Sequence, residues 1–195
     1  MRNLVFDIGG IFLDDSDRFL AKKYGMHKEE ILKYAHMCFG KSFQGCLLGT
    51  KTLEEHIDEV IKENPDEDKD IIRYTLEKEN YDITIPLYEE NIEQLYPLKE
   101  KGYKIYFLSN IAIDSFEYIN EKNSFLRDFE GGVYSYQVNT IKPKKEIYES
   151  LIEKYNLDVN ETMFFDDKLK NVHAAEKVGI KGIQFKTFND VLENI

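Results

Sequence analysis

The stretch Val5-Phe6-Asp7-Ile8-Gly9-Gly10 decides how this chain is read. An apolar run from Leu4 to Phe6 ends in one carboxylate and then breaks at two glycines. As a buried parallel strand, it sets Asp7 at the strand's C-terminal end, where open α/β sheets build their sites. The glycines permit a tight turn and a close approach of backbone to ligand. An aspartate so placed can act as a nucleophile, a metal ligand or both.

Two regimes follow. From about Ser16 to Pro86 the pattern reads as helix after helix. Thr52-Leu53-Glu54-Glu55 forms a capping box, with Leu53, Ile57, Val60 and Ile61 at helical spacing behind it. Pro65 stops that helix, and Ile71, Ile72, Thr75 and Leu76 begin the next stripe. Phe19 to Tyr24 and Glu29 to Met37 give two shorter helices. Cys38 to Gly49, with Gly40, Gly45 and Gly49, reads as a mobile loop. From Pro86 onward strand and helix alternate. An amphipathic helix runs through Leu87, Ile92, Leu95 and Leu98 and stops at Gly102. Strands are expected at Tyr103 to Leu108, Gly132 to Tyr136, Thr162 to Phe165 and Gly182 to Phe185. Helices are expected at 115–120, 143–155, 169–178 and 188–192. Repeated βα units predict an α/β fold: a Rossmann-like parallel sheet core with helices on both faces. The helices after the first strand then form an inserted all-helical cap. The expected organisation is residues 1–15 and 87–195 as the core domain and 16–86 as the cap domain.

The bulk numbers narrow the function. A chain of 195 residues is long enough for one sizeable core and a small insert. A formal net charge of −11 speaks against nucleic acid and anionic membrane surfaces as partners, so a small anionic substrate would need local cations. Much of the acid lies in Glu63 to Asp70, a solvated helix junction. No apolar stretch approaches the ~20 residues that span a bilayer. The first strand begins too early for a signal peptide, so Cys38 and Cys46 are expected as reduced thiols in a cytoplasmic protein. A monomer or homodimer is expected.

Four strand ends line up on one edge of the predicted sheet. The first ends in Asp7, the second in Ser109-Asn110, the third is followed by Lys142-Pro143, and the fourth ends in Asp166-Asp167. Three carboxylates offer hard oxygen ligands suited to Mg²⁺ held partly through substrate phosphate and water. Ser109 and Asn110 can donate hydrogen bonds to phosphoryl oxygens. Lys142 can neutralise a phosphate or orient the attacking carboxylate. Phosphoryl transfer is mostly positioning plus electrostatic stabilisation, and this set supplies both. Side-by-side carboxylates at a strand end repel unless a cation compensates, which favours a metal over simple helix capping.

At these residues the chain resembles the haloacid dehalogenase superfamily, in the subclass with a helical cap inserted after the first strand. The resemblance covers nearly the whole length through Val5-Phe6-Asp7, Leu108-Ser109-Asn110, Lys142-Pro143, and Phe165-Asp166-Asp167 with Asn171. It implies Asp7 as a nucleophile that forms an aspartyl-phosphate, with Ser109 and Lys142 binding the transferring group. It implies Mg²⁺ surrounded by Asp7, the Gly9 carbonyl, Asp166 and Asp167, with Asn171 one layer behind. The implied activity is that of a hydrolase, a phosphatase of a small phosphorylated substrate such as a sugar phosphate or nucleotide. One departure stands out. Phosphatases of the superfamily usually carry a second aspartate two residues after the nucleophile, as general acid and base, and here that position is Gly9. Such help is typically worth ~10²–10⁴-fold, so its loss slows turnover without forbidding it. The alternatives are a phosphate-binding or regulatory module with weakened turnover, or a phosphomutase. Asp14 and Asp15 follow within reach, but their spacing singles out neither.

The remaining candidates have plainer readings. His27, His36, His56 and His173 lack metal-ligand spacing and are expected at the surface or on helix faces. Cys38 and Cys46 are expected as small buried or loop residues without an accompanying histidine motif. Phe39, Lys41, Phe43 and Gln44 either face the substrate from the cap or pack the cap onto the core.

Overall fold

The computed structural model describes residues 2–122 and 124–195. Strand β1 (Asn3–Phe6) lies at the centre of a five-stranded parallel sheet with β2 (Lys104–Ser109), β3 (Gly131–Tyr134), β4 (Thr162–Asp166) and β5 (Lys181–Gln184). The order is β3-β2-β1-β4-β5. Phe6 is in register with Phe107 on one side and Phe165 on the other. The chain crosses to opposite sides of β1, so the sheet's topological switch point falls at the C-terminal end of that strand.

Side chains alternate across the sheet. Leu4, Phe6, Ile105, Phe107, Met163 and Phe165 form one buried face, and Val5, Tyr106, Leu108 and Phe164 belong to the other. Because both faces are covered there, β1, β2 and β4 read as nearly continuous apolar runs. The helices, in chain order, are α1 (Arg18–Tyr24), α2 (Lys28–Phe39), α3 (Gln44–Leu47), α4 (Leu53–Glu63), α5 (Lys69–Leu76), α6 (Tyr81–Thr84), α7 (Glu89–Glu93), α8 (Leu95–Glu100), α9 (Ile113–Lys122), α10 (Ser135–Val138), α11 (Lys145–Tyr155), α12 (Leu169–Lys177) and α13 (Phe188–Leu192). Helices α7, α8, α9 and α13 cover the Phe6 face, while α11 and α12 cover the Val5 face. A separate apolar cluster gathers Phe19, Leu20, Tyr34, Ile57, Ile72 and Leu76 from the helices between β1 and β2. The chain leaves for and returns from these helices along two adjacent passes. Asp14 N–H donates to Pro86 O at 2.9 Å, and Tyr88 N–H donates to Phe12 O at 2.9 Å.

Two expectations need correction. Cys38 to Gly49 is not a loop. It completes α2 and continues through a 3₁₀ turn at Lys41–Phe43 into α3, which is docked on the sheet side where the Ser135 hydroxyl donates to Leu47 O at 2.6 Å. Tertiary contact overrides the three glycines there. The expected single helix after Pro86 is two, α7 and α8, because Pro97 has no N–H to give the carbonyl of Glu93. His56, expected at the surface or on a helix face, lies on α4 and is fully buried in the helical cluster.

His56 carries a consequence for pH. Its Nε2 donates to Cys38 O at 2.7 Å, and its Nδ1 is buried without a partner. Charging the ring would bury an unpaired N–H, and burial therefore pulls the imidazole below its ordinary value of 6.5, against the opposing effect of the Cys38 carbonyl. A histidine with a depressed folded-state pKa binds fewer protons folded than unfolded, so stability falls as pH drops below about 6.5 towards the folded value. The melting temperature of the wild type is expected to fall more between pH 7.5 and pH 5 than that of His56→Gln, which keeps a donor but does not titrate. Equal slopes for the two proteins would show that the ring does not contribute.

Candidate active site

Each candidate residue enters through a strand end. Asp7 directly follows β1 and extends its ladder, with its N–H donating to Phe165 O at 2.9 Å. The chain then turns at once. The carbonyl of Ile8 accepts from Phe12 N–H at 2.8 Å, and Gly10 adopts a positive φ of 75°. A Cβ on Gly10 would stand 2.8 Å from Asp167 Cγ, so glycine is needed both for the backbone angle and for room beside that carboxylate. Ser109 is the last residue of β2, and Asp166 the last of β4, with Asp167 next.

Lys142 is the hub. It is almost fully buried, and its Nζ lies 2.8 Å from Asp7 Oδ1 and 2.8 Å from Asp166 Oδ2. Asn110 holds it in place: Lys142 N–H donates to Asn110 Oδ1 at 2.8 Å, and Asn110 Nδ2 donates to Lys142 O at 3.1 Å. Both ends of that amide thus engage the backbone of Lys142, a role the sequence did not suggest, while Asn110 also lines a cavity together with Asp7. Asp166 is further tied down by Lys168 N–H at 2.8 Å and by Asn171 Nδ2 at 2.9 and 3.0 Å.

These contacts divide the carboxylates electrostatically. Burial alone would raise Asp166, but Lys142, the Lys168 N–H and Asn171 outweigh it and hold the group below the usual carboxylate range. Asp7 has fewer donors. Burial pushes it up to about 7 despite Lys142, and the charge of Asp166 adds to the rise. Both donors that reach its carboxylate, Lys142 Nζ and the Ile8 N–H, engage Oδ1. Asp167 is also raised, first by burial, and its Oδ1 is buried with no hydrogen-bond partner. Oxygens of Asp7, Asp166 and Asp167 lie within 4.8 Å of one another. A set of hard oxygen donors, one of them an orphaned buried carboxylate oxygen, fits Mg²⁺ or a similar dication.

This cavity, of about 430 Å³, opens onto Asp7, while Asp166 and Asp167 are not among the residues that line it. Asp7, Gly9, Ser109, Asn110, Lys142 and Asn171 line its floor, while Phe39, Phe43 and Leu47 reach it from the inserted helices. Of the four residues read as either substrate-facing or packing, Phe39 and Phe43 line the cavity, whereas Lys41 and Gln44 are not among its lining residues. Sequence reasoning missed Asp17, Lys168 and Lys170, which also line it. Lys168 could have been noticed from its place directly after Asp166-Asp167. Burial pulls its ammonium down, but Asp15, Asp7, Asp167 and Asp166 prevail and hold it above the ordinary lysine value.

Residues 4–185 match a family model described as haloacid dehalogenase-like hydrolase. A sesquiterpene phosphatase of Aspergillus oryzae is 35% identical over 86 residues, 44% of this chain and 44% of that protein. A D-ribitol-5-phosphate phosphatase of Bacteroides thetaiotaomicron is 32% identical over 91 residues, 43% of this chain and 44% of that protein. The matched stretch thus spans less than half the length of either relative. Among solved structures, a haloacid dehalogenase-family enzyme of Bacteroides thetaiotaomicron, in complex with magnesium and inorganic phosphate, superposes with a TM-score of 0.73 at 23% identity, covering 95% of this chain and 94% of that one. A dehalogenase superposes with a TM-score of 0.70 at 17% identity, covering 94% and 84%. At these identities the structural likeness speaks for the fold.

Proposed function

The chain belongs to the haloacid dehalogenase-like hydrolases, and on that premise we propose that it is a Mg²⁺-dependent phosphomonoesterase of a small phosphorylated metabolite. The substrate class is the sugar-phosphate or nucleotide type, and Asp7 carries the phosphoryl group as an aspartyl-phosphate. The observation that carries the reading is the cluster of Asp7, Asp166 and Asp167 around Lys142 at the sheet's switch point, with Asp7 and Lys142 facing the cavity. The two curated relatives are named as phosphatases, which agrees with it.

Asp7 attacks phosphorus in line, and Lys142 orients it through Oδ1. Ser109, at the floor of the cavity, donates to a phosphoryl oxygen. Asp7, the carbonyl of Gly9, Asp166 and Asp167 would hold Mg²⁺, which when bound neutralises charge on the phosphoryl oxygens and favours the ionised form of Asp7. Asn110 fixes Lys142, and Asn171 fixes Asp166. Residues 16–86 act as a cap that excludes water and selects the leaving group, with Phe39 and Phe43 as its inner wall. The protein works in the cytoplasm as a monomer or homodimer.

Gly9 favours a second reading, a binding module that has lost turnover. Phosphate release from a panel of phosphorylated metabolites, with Mg²⁺ and with EDTA, separates the two. Mg²⁺-dependent release that EDTA abolishes and excess Mg²⁺ restores is expected. Tight binding of inorganic phosphate with no release from any substrate would favour the module.

A further inference from the structure

The position normally expected to supply a general acid and base is Gly9, and the structure shows what occupies the space above it. A Cβ built on Gly9 would stand 3.0 Å from Asp15 Oδ2 and 3.6 Å from Asp15 Cγ. The carboxylate of Asp15 therefore enters the volume that a side chain at position 9 would take. It reaches there from the opposite limb of the turn and lines the same cavity as Asp7. Two features hold it. Its neighbour Asp14 is anchored, the N–H to Pro86 O at 2.9 Å and the carboxylate to Arg18 at 3.0 Å. Asp15 Oδ2 itself lies 3.4 Å from Lys168 Nζ, on the loop whose N–H binds Asp166. Asp14 is committed to Arg18 and Ser16, which leaves Asp15 as the carboxylate placed over Gly9.

From this placement we infer that Asp15 supplies the proton transfers that Gly9 cannot. The inference rests on the phosphomonoesterase reading above. In the first step the Asp7 oxygen–phosphorus bond forms as the phosphorus–alcohol bond breaks, and the Asp15 carboxyl proton passes to the leaving oxygen. In the second, water attacks phosphorus, its proton passes to the Asp15 carboxylate, and the phosphorus–Asp7 bond breaks. Inorganic phosphate leaves, Asp7 is again a carboxylate and Asp15 again carries its proton. Lys168 acts as a positioning residue, its Nζ 3.4 Å from Asp15 Oδ2.

The test is leaving-group dependence. An alkoxide needs protonation to depart, whereas p-nitrophenolate does not. With Mg²⁺ present, Asp15→Asn is expected to lower kcat/KM for an alkyl phosphate by about 10²–10³-fold and for p-nitrophenyl phosphate by less than about tenfold. With p-nitrophenyl phosphate it should give a burst of one equivalent of p-nitrophenolate before slow turnover, because water activation is also impaired. Inhibition by inorganic phosphate reports whether the site is still assembled. Asp17→Asn, the other acidic residue of this segment that lines the cavity, should change both substrates in the same proportion. The inference is overturned if Asp15→Asn lowers both substrates equally, if it lowers neither, or if Asp17→Asn alone shows the split. Wild-type protein that releases no phosphate from either substrate would overturn the phosphatase reading itself, and this inference with it.

Discussion

Asp7→Asn is expected to abolish Mg²⁺-dependent phosphate release, by about 10⁴-fold or more, while leaving the protein folded. The size follows from covalent catalysis: an amide oxygen is far too weak a nucleophile to form the phosphorylated intermediate, and the groups that remain only position and polarise. Folding should survive because the amide matches the carboxylate in shape and the turn at Ile8 to Leu13 is closed by backbone bonds. Lys142 keeps its contact to Asp166. Burial disfavours the charged form of Asp7, so replacing it with a neutral group removes a desolvation cost, and the metal-free melting temperature should hold or rise. A phosphate-release assay beside a thermal melt separates chemistry from stability. A variant that is folded and still turns over at more than a few per cent of wild type would remove Asp7 from the nucleophile's role.

The fold was largely legible in the sequence because its signals are local and repeated. The central strands are short apolar runs buried on both faces, so Leu4 to Phe6 and Ile105 to Leu108 announce themselves without tertiary information. Thr52 and Glu55 form the reciprocal cap that their spacing predicts. The placement of Asp7, Ser109, Asp166 and Asp167 follows from those strand ends, since a parallel sheet brings all C-terminal ends to one edge. What the sequence did not carry depends on side-chain direction across long separations. Asn110 has the same composition signal whether it faces a phosphate or the backbone of Lys142, and only the fold chooses. Spacing singles out neither Asp14 nor Asp15, yet one pairs with Arg18 and the other lies over Gly9 and lines the cavity. Glycines at 40, 45 and 49 suggested a loop, but they accommodate close packing instead. A Cβ on Gly45 would stand 2.9 Å from Lys51 Cβ, and Gly49 alone of the three has a positive φ, 68°.

Lys142→Met should be the most destabilising substitution in the site, and its rescue should be specific. The ammonium is the one side-chain cation within 3 Å of both Asp7 and Asp166 among the described residues, and all three groups are buried. Removing it leaves two buried carboxylates facing each other, and breaking such an arrangement from one side typically costs ~3–5 kcal/mol. For a domain of this size that corresponds to a fall in melting temperature of roughly 2–4 °C per kcal/mol. Two additions should recover part of the loss. Asp7→Asn in the same chain removes the more weakly compensated of the two carboxylates, so the double variant should be more stable than Lys142→Met alone, a coupling that a double-mutant cycle measures directly. Mg²⁺ should stabilise Lys142→Met in proportion to its occupancy, because an ion that binds only the folded form shifts the unfolding equilibrium by mass action. If the single variant melts like wild type, or if its loss is insensitive both to the second substitution and to Mg²⁺, then the three carboxylates do not share one charge-balanced site, and the arrangement on which the proposed chemistry rests is wrong.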